Sequence, residues 1–333
     1  MNIIIVFFMF IVSLVIIIKG GDWFVESAVW VAKATGIPNV LIGATIVSVA
    51  TTLPELLVSS IATYNEYYDI AIGNVVGSTI CNIGLILGLV AVLTPIKIER
   101  KGFFIKGSFM LFSAAVLLFL LKDTIITRKE GSILLILLAI YIIFNIIELK
   151  IESKNQFVTN RTNITKKNEA FKVIIKFVAG AILIVIGAKI LVESGSEIAR
   201  FLKIPEQVIS LTLIAIGTSL PELITAISSM LKGEQGISVG NILGANTLNM
   251  LMVLGVSSKI GSKGIVTSYQ NIMLGAKIYN IPQTLYLDMP MSLLVMLILV
   301  AGGLFSKKIG RALGLSLVVS YIMYLTVLAK LFM

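Results

Sequence analysis

Two segments, Ala50-Thr51-Thr52-Leu53-Pro54-Glu55 and Gly217-Thr218-Ser219-Leu220-Pro221-Glu222, each place a carboxylate near the middle of a stretch otherwise apolar enough to sit in a bilayer. A charge at that depth costs at least about 2.5–3.5 kcal/mol on insertion scales, and such residues generally mark an ion or proton path. The proline one residue earlier has no N–H and clashes with the preceding turn, so it breaks the helix and leaves carbonyl oxygens without their helical partners. Broken backbone at membrane depth is tolerated only where it is buried in protein or lines a wet cavity. With Thr and Ser hydroxyls flanking both breaks, the pattern is that of a pocket built from oxygen atoms.

Composition narrows what such a pocket can hold. The 333 residues are 57% hydrophobic and only 13% charged, against about a quarter charged in soluble domains; with a mean hydropathy of +1.02 this is an all-α polytopic membrane protein. The net charge of +10 does not argue for a nucleic-acid partner, because the Lys and Arg residues sit mostly in short loops between apolar runs, where they report topology. Histidine is absent and Cys81 is the one cysteine, so no intrachain disulfide and no His/Cys zinc or copper site can form. Any metal must be held by oxygen, which favours Ca²⁺, Mg²⁺ or Na⁺. Cys81 itself reads as a small apolar residue. A membrane metalloprotease would need a His-Glu-x-x-His helix, and a prenyl-transferring enzyme clustered aspartates; Asp22, Asp69, Asp123 and Asp288 are scattered. The expectation is therefore a protein that is not an enzyme and uses no cofactor.

At about 20 apolar residues per span, ten transmembrane helices are expected near 2–33 (with a tilt or bend at Gly20-Gly21), 38–63, 70–94, 103–121, 130–149, 171–200, 206–231, 236–258, 287–305 and 310–331. The apolar start, Asn2 to Ile18, lacks a basic n-region and a clear cleavage site, and reads as a retained span. Residues 20–88 align without a gap to 187–255 at an offset of 167; Gly20, Val25-Glu26-Ser27, Ile37-Pro38, Leu53-Pro54-Glu55-Leu56, Gly73-Asn74, Gly77, Asn82 and Gly88 all recur. The chain thus divides into a first repeat (1–149), a polar connecting loop (150–169) and a second repeat (170–333). Five spans per repeat is an odd number, so the two copies lie inverted in the membrane. The excess of Lys and Arg on the loops that include 97–106 and 150–176 makes these cytoplasmic and puts both termini outside. Asn160 and Asn163 match the glycosylation pattern but fall on the cytoplasmic side and are expected to be unmodified. The second repeat carries an insertion near 257–286, including Tyr269, Tyr279 and Pro282, expected as an external excursion or short interfacial helix.

Of the acidic residues, only Glu55 and Glu222 fall clearly mid-span; the others, Asp288 among them, fall in loops or near span ends. Inverted repeats place substrate sites at the midplane where discontinuous helices meet, so Glu55 and Glu222 should face each other. Thr51 and Glu55 are four apart and share a helix face, as do Thr218 and Glu222, with Thr52 and Ser219 beside them at the break. The next span of each repeat supplies Gly73-Asn74-x-x-Gly77-Ser78-x-x-x-Asn82 and Gly240-Asn241-x-x-Gly244-Ala245-x-x-x-Asn249. The glycines suit close helix packing, Ser78, Asn82 and Asn249 suit ion ligation, and Asn74 and Asn241 fit either role. Two neighbouring carboxylates carry a charge of −2, which one Ca²⁺ or two Na⁺ would neutralise, and the two sets would compete for the same oxygens.

These motifs resemble the two α-repeats of the cation/Ca²⁺ exchanger superfamily, in particular its prokaryotic Na⁺/Ca²⁺ exchanger branch, over nearly the whole chain. The resemblance implies Glu55 and Glu222 as central metal-binding carboxylates, and hydroxyl or carbonyl ligands from Thr51, Thr52, Thr218 and Ser219. It adds backbone carbonyls from Ser48 and Ala215, with Ser78, Asn82 and Asn249 completing the set. It further implies a multi-pass secondary antiporter of the cell membrane that works as a monomer, with Ca²⁺ and Na⁺ as its substrates. Ca²⁺ would be exchanged for several Na⁺ by alternating access. The alternative is an H⁺-coupled Ca²⁺ antiporter of the same fold. Two positions depart from the related prokaryotic pattern: Asn249 stands where Asp is frequent, and Ala245 where Ser is frequent. These leave two carboxylates in place of three and one hydroxyl fewer opposite Ser78.

Overall fold

A computed structural model describes residues 3–34, 48–153, 167–231, 235–274, 277–306 and 308–332. Its surface is the reverse of a soluble protein's. Large apolar side chains such as Ile4, Phe8, Phe119 and Ile136 lie exposed along the helices, while Glu, Asn, Ser and Thr are buried between them. That distribution suits a bundle solvated by lipid, in which helices gain nothing by hiding Leu from Leu and associate through small residues and polar contacts instead.

Eight helices among the described residues are long and apolar enough to cross a membrane, and a ninth span is formed by a pair, Glu206–Thr218 and Leu220–Leu231, bent by 41°. The remaining expected span, 38–63, is described from Ser48 onward. The chain opens with α1 (Ile3–Ala34), which runs through Gly20-Gly21 without a break. Gly20 serves contact: a Cβ there would lie 2.8 Å from the Gly180 carbonyl, and one at Gly180 would lie 2.7 Å from the Gly20 carbonyl. Helix α2 (Ser48–Thr51) and α3 (Leu53–Tyr64) follow, then α4 (Tyr68–Cys81), which runs through a π-helical stretch, Asn82–Leu87, into α5 (Gly88–Leu93). Helices α6 (Arg100–Leu120) and α7 (Arg128–Ser153) complete the first half.

The second half opens with α8 (Lys167–Leu202), packed along α1. Helices α7 and α8 thus reach into the segment expected as a loop at 150–169; both glycosylation-pattern asparagines lie outside the described residues. After α8 come α9 (Glu206–Ile209), a π-helical stretch Ser210–Ile214, α10 (Ala215–Thr218) and α11 (Leu220–Leu231). Helix α12 (Gln235–Leu248) continues through π-helical Asn249–Val253 into α13 (Leu254–Ile260), and α14 (Met289–Ser306) and α15 (Arg311–Phe332) end the chain. Helices α2, α3 and α4 recur as α10, α11 and α12 at the sequence offset of 167, and each α4/α12 equivalent loosens into a π-helix at its Asn, a local widening frequent at functional sites.

Short antiparallel bridges tie the halves together at both ends. β1 (Ile96–Lys97) pairs with β6 (Lys308–Ile309), Ile96 opposite Ile309, and β2 (Ile125–Ile126) pairs with β3 (Ile265–Val266), Ile126 opposite Ile265. The 257–286 insertion is not an interfacial helix. It contains a β-hairpin of β4 (Tyr269–Leu274) and β5 (Lys277–Pro282), in register from Tyr269↔Pro282 to Leu274↔Lys277, and β5 leads into a π-helical turn, Thr284–Asp288. Alternating β-branched and aromatic residues (Tyr269, Ile272, Ile278, Tyr279) favour paired strands over a helix there.

The core that positions the site is the crossing of α4 on the second half. A Cβ at Gly77 would lie 2.8 Å from both the Ala215 Cβ and the Leu211 Cα, and one at Gly73 would lie 2.8 Å from the Ser210 Cβ. We expect Gly77→Ala to lower the stability of the detergent-solubilised chain by about 1–3 kcal/mol through overpacking. Gly21→Ala, at a position with nothing within 4 Å, should leave thermal unfolding unchanged.

Candidate cation site

Each proline at a helix break sits in the first turn of the helix that follows, where its missing N–H is least costly. Thr52 (φ −82°, ψ −3°) separates α2 from α3, and Ser219 (φ −82°, ψ 5°) separates α10 from α11. The two breaks are built alike. The Ser48 carbonyl accepts from the Thr51 hydroxyl at 3.3 Å and the Thr52 hydroxyl at 2.8 Å. The Ala215 carbonyl accepts from the Thr218 hydroxyl at 3.3 Å and from the Ser78 hydroxyl at 3.5 Å. Ser48 and Ala215, expected as carbonyl donors to an ion, therefore stand one turn from Thr52 and Ser219 with their oxygens turned toward the hydroxyls of the break.

Glu55 and Glu222, one residue past each proline, are wholly buried. The carboxylates lie near enough to repel each other, and each has a threonine of the opposite half beside it: Thr218, with Ser78, by Glu55 and Thr51 by Glu222. None of the four carboxylate oxygens has a hydrogen-bond partner, and the same holds for the Asn82 Oδ1, Asn249 Oδ1 and Ser219 Oγ atoms. Buried polar atoms without partners are rare in native structures and each calls for an explanation, an ion among them. Among the described residues no three acidic or thiol side chains converge, so an ion here would be held by two carboxylates together with neutral oxygens.

The neighbouring helices hold these groups in place. Asn74 is used at both ends: its Nδ2 donates to the Glu55 carbonyl at 3.2 Å and to the Ser59 Oγ at 2.9 Å, while its Oδ1 accepts from the Thr218 hydroxyl at 3.0 Å. Of the two roles open to it, it takes the positioning one. Its counterpart Asn241 accepts from the Ser48 hydroxyl at 2.9 Å. Asn246 carries no motif signal, since its counterpart at the offset of 167 is Thr79. Its Oδ1 accepts from the Asn82 Nδ2 at 3.0 Å and its Nδ2 donates to the Thr79 carbonyl at 3.4 Å. By fixing the amide nitrogen of Asn82, Asn246 decides which way the Asn82 oxygen points. Ala245 is buried and brings no oxygen.

All of Glu55, Glu222, Thr51, Thr52, Thr218, Ser219, Ser78, Asn82 and Asn249 are buried. The arrangement is an oxygen-lined chamber with two carboxylates and no cationic side chain hydrogen-bonded or ion-paired to either among the described residues. We expect Glu55→Gln to raise the melting temperature of the cation-free protein, because it removes an uncompensated buried charge, and to abolish the further rise produced by Ca²⁺. Asn246→Ala should weaken Ca²⁺ binding roughly 10–100-fold, as loss of a partner orienting a ligand does, read from the same Ca²⁺-dependent melting curves.

Comparison with known proteins finds relatives over most of the chain. The family described as sodium/calcium exchanger protein matches residues 5–147 and 172–330. The chain is 35% identical over 255 residues to the inner membrane protein YrbG of Escherichia coli, covering 75% of this chain and 78% of that protein. It is 34% identical over 288 residues to the sodium/calcium exchanger MaX1 of Methanosarcina acetivorans, covering 75% and 82%. Among solved structures it is similar to the sodium-calcium exchanger NCX_Mj soaked with 2.5 mM Na⁺ and 1 mM Sr²⁺, with a TM-score of 0.64, 29% identity, and coverage of 98% of this chain and 99% of that one.

Proposed function

The chain belongs to the sodium/calcium exchanger family, and from the chamber it builds we propose a secondary antiporter in which Ca²⁺ and Na⁺ compete for Glu55 and Glu222. The observation that carries this reading is the set of buried oxygens without partners: the four of the carboxylates, and those of Asn82, Asn249 and Ser219. A charge of −2 walled off from water is balanced by one Ca²⁺ or by two Na⁺, and because both would use the same carboxylates, binding of one excludes the other. The ligand set is Glu55 and Glu222, hydroxyls of Thr51, Thr52, Thr218, Ser219 and Ser78, carbonyls of Ser48 and Ala215, and amide oxygens of Asn82 and Asn249.

Transport follows if the chamber opens to one side at a time. A cation-free chamber is electrostatically costly to occlude, whereas a neutralised one is not, so passage between the two states is tied to the presence of substrate. The two halves, 1–149 and 170–333, inserted in opposite directions, provide equivalent gates on the two sides. The loop from 150 to 169 would then be cytoplasmic and both termini outside, in line with the distribution of Lys and Arg. Ca²⁺ leaves the cell as Na⁺ enters, and one chain suffices, since the ligands come from a single polypeptide. The number of neutral oxygens around the carboxylates favours Na⁺ over H⁺ as the coupling ion: a proton needs one acceptor, a Na⁺ ion several.

Reconstitution in proteoliposomes tests both parts. Uptake of radiolabelled Ca²⁺ should be driven by an opposing Na⁺ gradient and not by a pH gradient; the reverse result would assign H⁺ coupling. Glu55→Gln and Glu222→Gln should each lower Na⁺-driven uptake at least about 100-fold, the scale set by losing one partner of a buried charged cluster. Normal uptake by either variant would refute the proposed site.

A further inference from the structure

A third carboxylate, expected near a span end, is as deeply buried as the central pair. Asp288, at the close of the π-helical turn that follows the β-hairpin, has no exposed surface. Its Oδ1 accepts from the Tyr324 hydroxyl at 2.8 Å and from the Gln283 Nε2 at 3.3 Å. Its Oδ2 accepts from the Gln207 Nε2 at 2.6 Å, and that nitrogen also donates to the Thr284 Oγ1 at 2.7 Å. No Lys or Arg among the described residues pairs with it; the ion pairs are Lys176–Glu26 and Arg200–Glu197. Asp69, at the start of α4, is near enough to repel it; its Oδ1 accepts from the Ser268 backbone N–H at 3.2 Å.

Hydrogen bonds alone leave this cluster unfinished. Gln207 and Gln283 are both fully buried, and the Oε1 of each has no partner. A primary amide presents two donors on one side and an acceptor on the other. With the carboxylate bare, both amides must turn nitrogen inward. Around a cation, a half-turn of each amide would replace those donors with oxygens, giving a cage of the Asp288 carboxylate, two amide oxygens, the Thr284 hydroxyl and the Tyr324 hydroxyl. All of these ligands are hard oxygens, which suits Na⁺. The net ligand charge is −1, so a monovalent ion neutralises the cage whereas a divalent ion would leave an uncompensated positive charge in an apolar surround.

We propose that Asp288, with Gln207, Gln283, Thr284 and Tyr324, forms a second Na⁺ site separate from the carboxylate pair. Gln207 lies in α9, eleven residues before Thr218, or roughly 16 Å along a helix axis at about 1.5 Å per residue. The cage gathers the first turn of the broken span that carries Glu222, the outgoing strand of the hairpin and α15. Strand β5 ends at Pro282, so the insertion delivers Gln283 and Thr284 directly into the cage. Na⁺ bound here clamps the start of α9 to α15 and sets how freely that end of the Glu222 span moves.

The test is equilibrium binding of radiolabelled Na⁺ to the full chain in detergent, in a Glu55→Gln, Glu222→Gln background that lacks the central charges. One saturable Na⁺ per chain should remain. Adding Asp288→Asn, which is isosteric, should weaken it at least about tenfold, the scale expected when a buried charge loses its partner. Gln283→Leu, which keeps the carboxylate, should weaken it measurably, and it decides the matter if the Asp288→Asn chain is not monodisperse. Absence of residual Na⁺ in the background variant, or residual binding untouched by these changes, overturns the proposal. So does an infrared carboxylic-acid band that Asp288→Asn removes and Na⁺ leaves unaltered, which would assign a proton to Asp288 instead. Because the background is transport-dead by design, failure of the exchange reading and failure of this site are read in different experiments.

Discussion

Two like charges enclosed together in a medium that solvates neither are the constraint around which this chain is arranged. At an effective dielectric constant of about 20, unit charges about 4 Å apart interact by roughly 4 kcal/mol, and burial raises the cost further. No lysine or arginine pairs with Glu55 or Glu222 among the described residues, and their four oxygens have hydroxyls nearby, none at hydrogen-bond geometry. A fold that merely needed polar glue would have satisfied these oxygens internally; Asn74, with partners at both ends of its amide, shows that the same bundle does so a few ångströms away. The contrast between satisfied and unsatisfied polar groups separates scaffold from candidate ligand more sharply than residue type does.

Holding the pair in place requires backbone to come close where side chains normally keep it apart. Gly73 and Gly77 let α4 lie against 207–215, so that Ser78 reaches the Ala215 carbonyl and the Thr218 hydroxyl. Each proline break then starts a fresh helix just before its glutamate, with the hydroxyls of the break gathered at the Ser48 and Ala215 carbonyls. Because each carboxylate is attended by hydroxyls of the other half, neither half could assemble the chamber alone. That interlock gives a physical reason for α2, α3 and α4 to match α10, α11 and α12 in length and for the π-helical loosening to recur at Asn82 and Asn249.

How far the sequence could foretell this depended on whether the signal was local. The breaks at Thr52 and Ser219, the glutamates after each proline and the glycine-spaced helices rest on rules of a few residues and emerge as expected. Four features have no such local signal. Gly20-Gly21 reads as a place to tilt or bend when seen alone; that Gly20 meets Gly180 across an interface leaves no local trace. The insertion reads as loop or helix because its strands find each other only through the hairpin. Asn246 and Asp288 are missed because their meaning lies in partners 164 and 36 residues away, Asn82 and Tyr324 respectively. Asp288 in particular, judged by distance along the chain, falls at a span end; groups from α9, from just after the hairpin and from α15 close around it.

The insertion and Asp288 also bear on why the two halves are not interchangeable. Asn249 brings an amide oxygen and no charge, so Glu55 and Glu222 are the carboxylates of the chamber among the described residues. The second half also contains a third buried carboxylate, Asp288, bonded to Gln207 at the start of the broken span, to Gln283 just after the hairpin and to Tyr324 of α15. Two charges in the chamber can be balanced by a single divalent ion, with no surplus to be neutralised by a further cation at the same point. A monovalent ion held at Asp288 would then act on the Glu222 span from its start, not from its midpoint, so that the first half meets its substrate only in the chamber while the second half answers to cations at two depths.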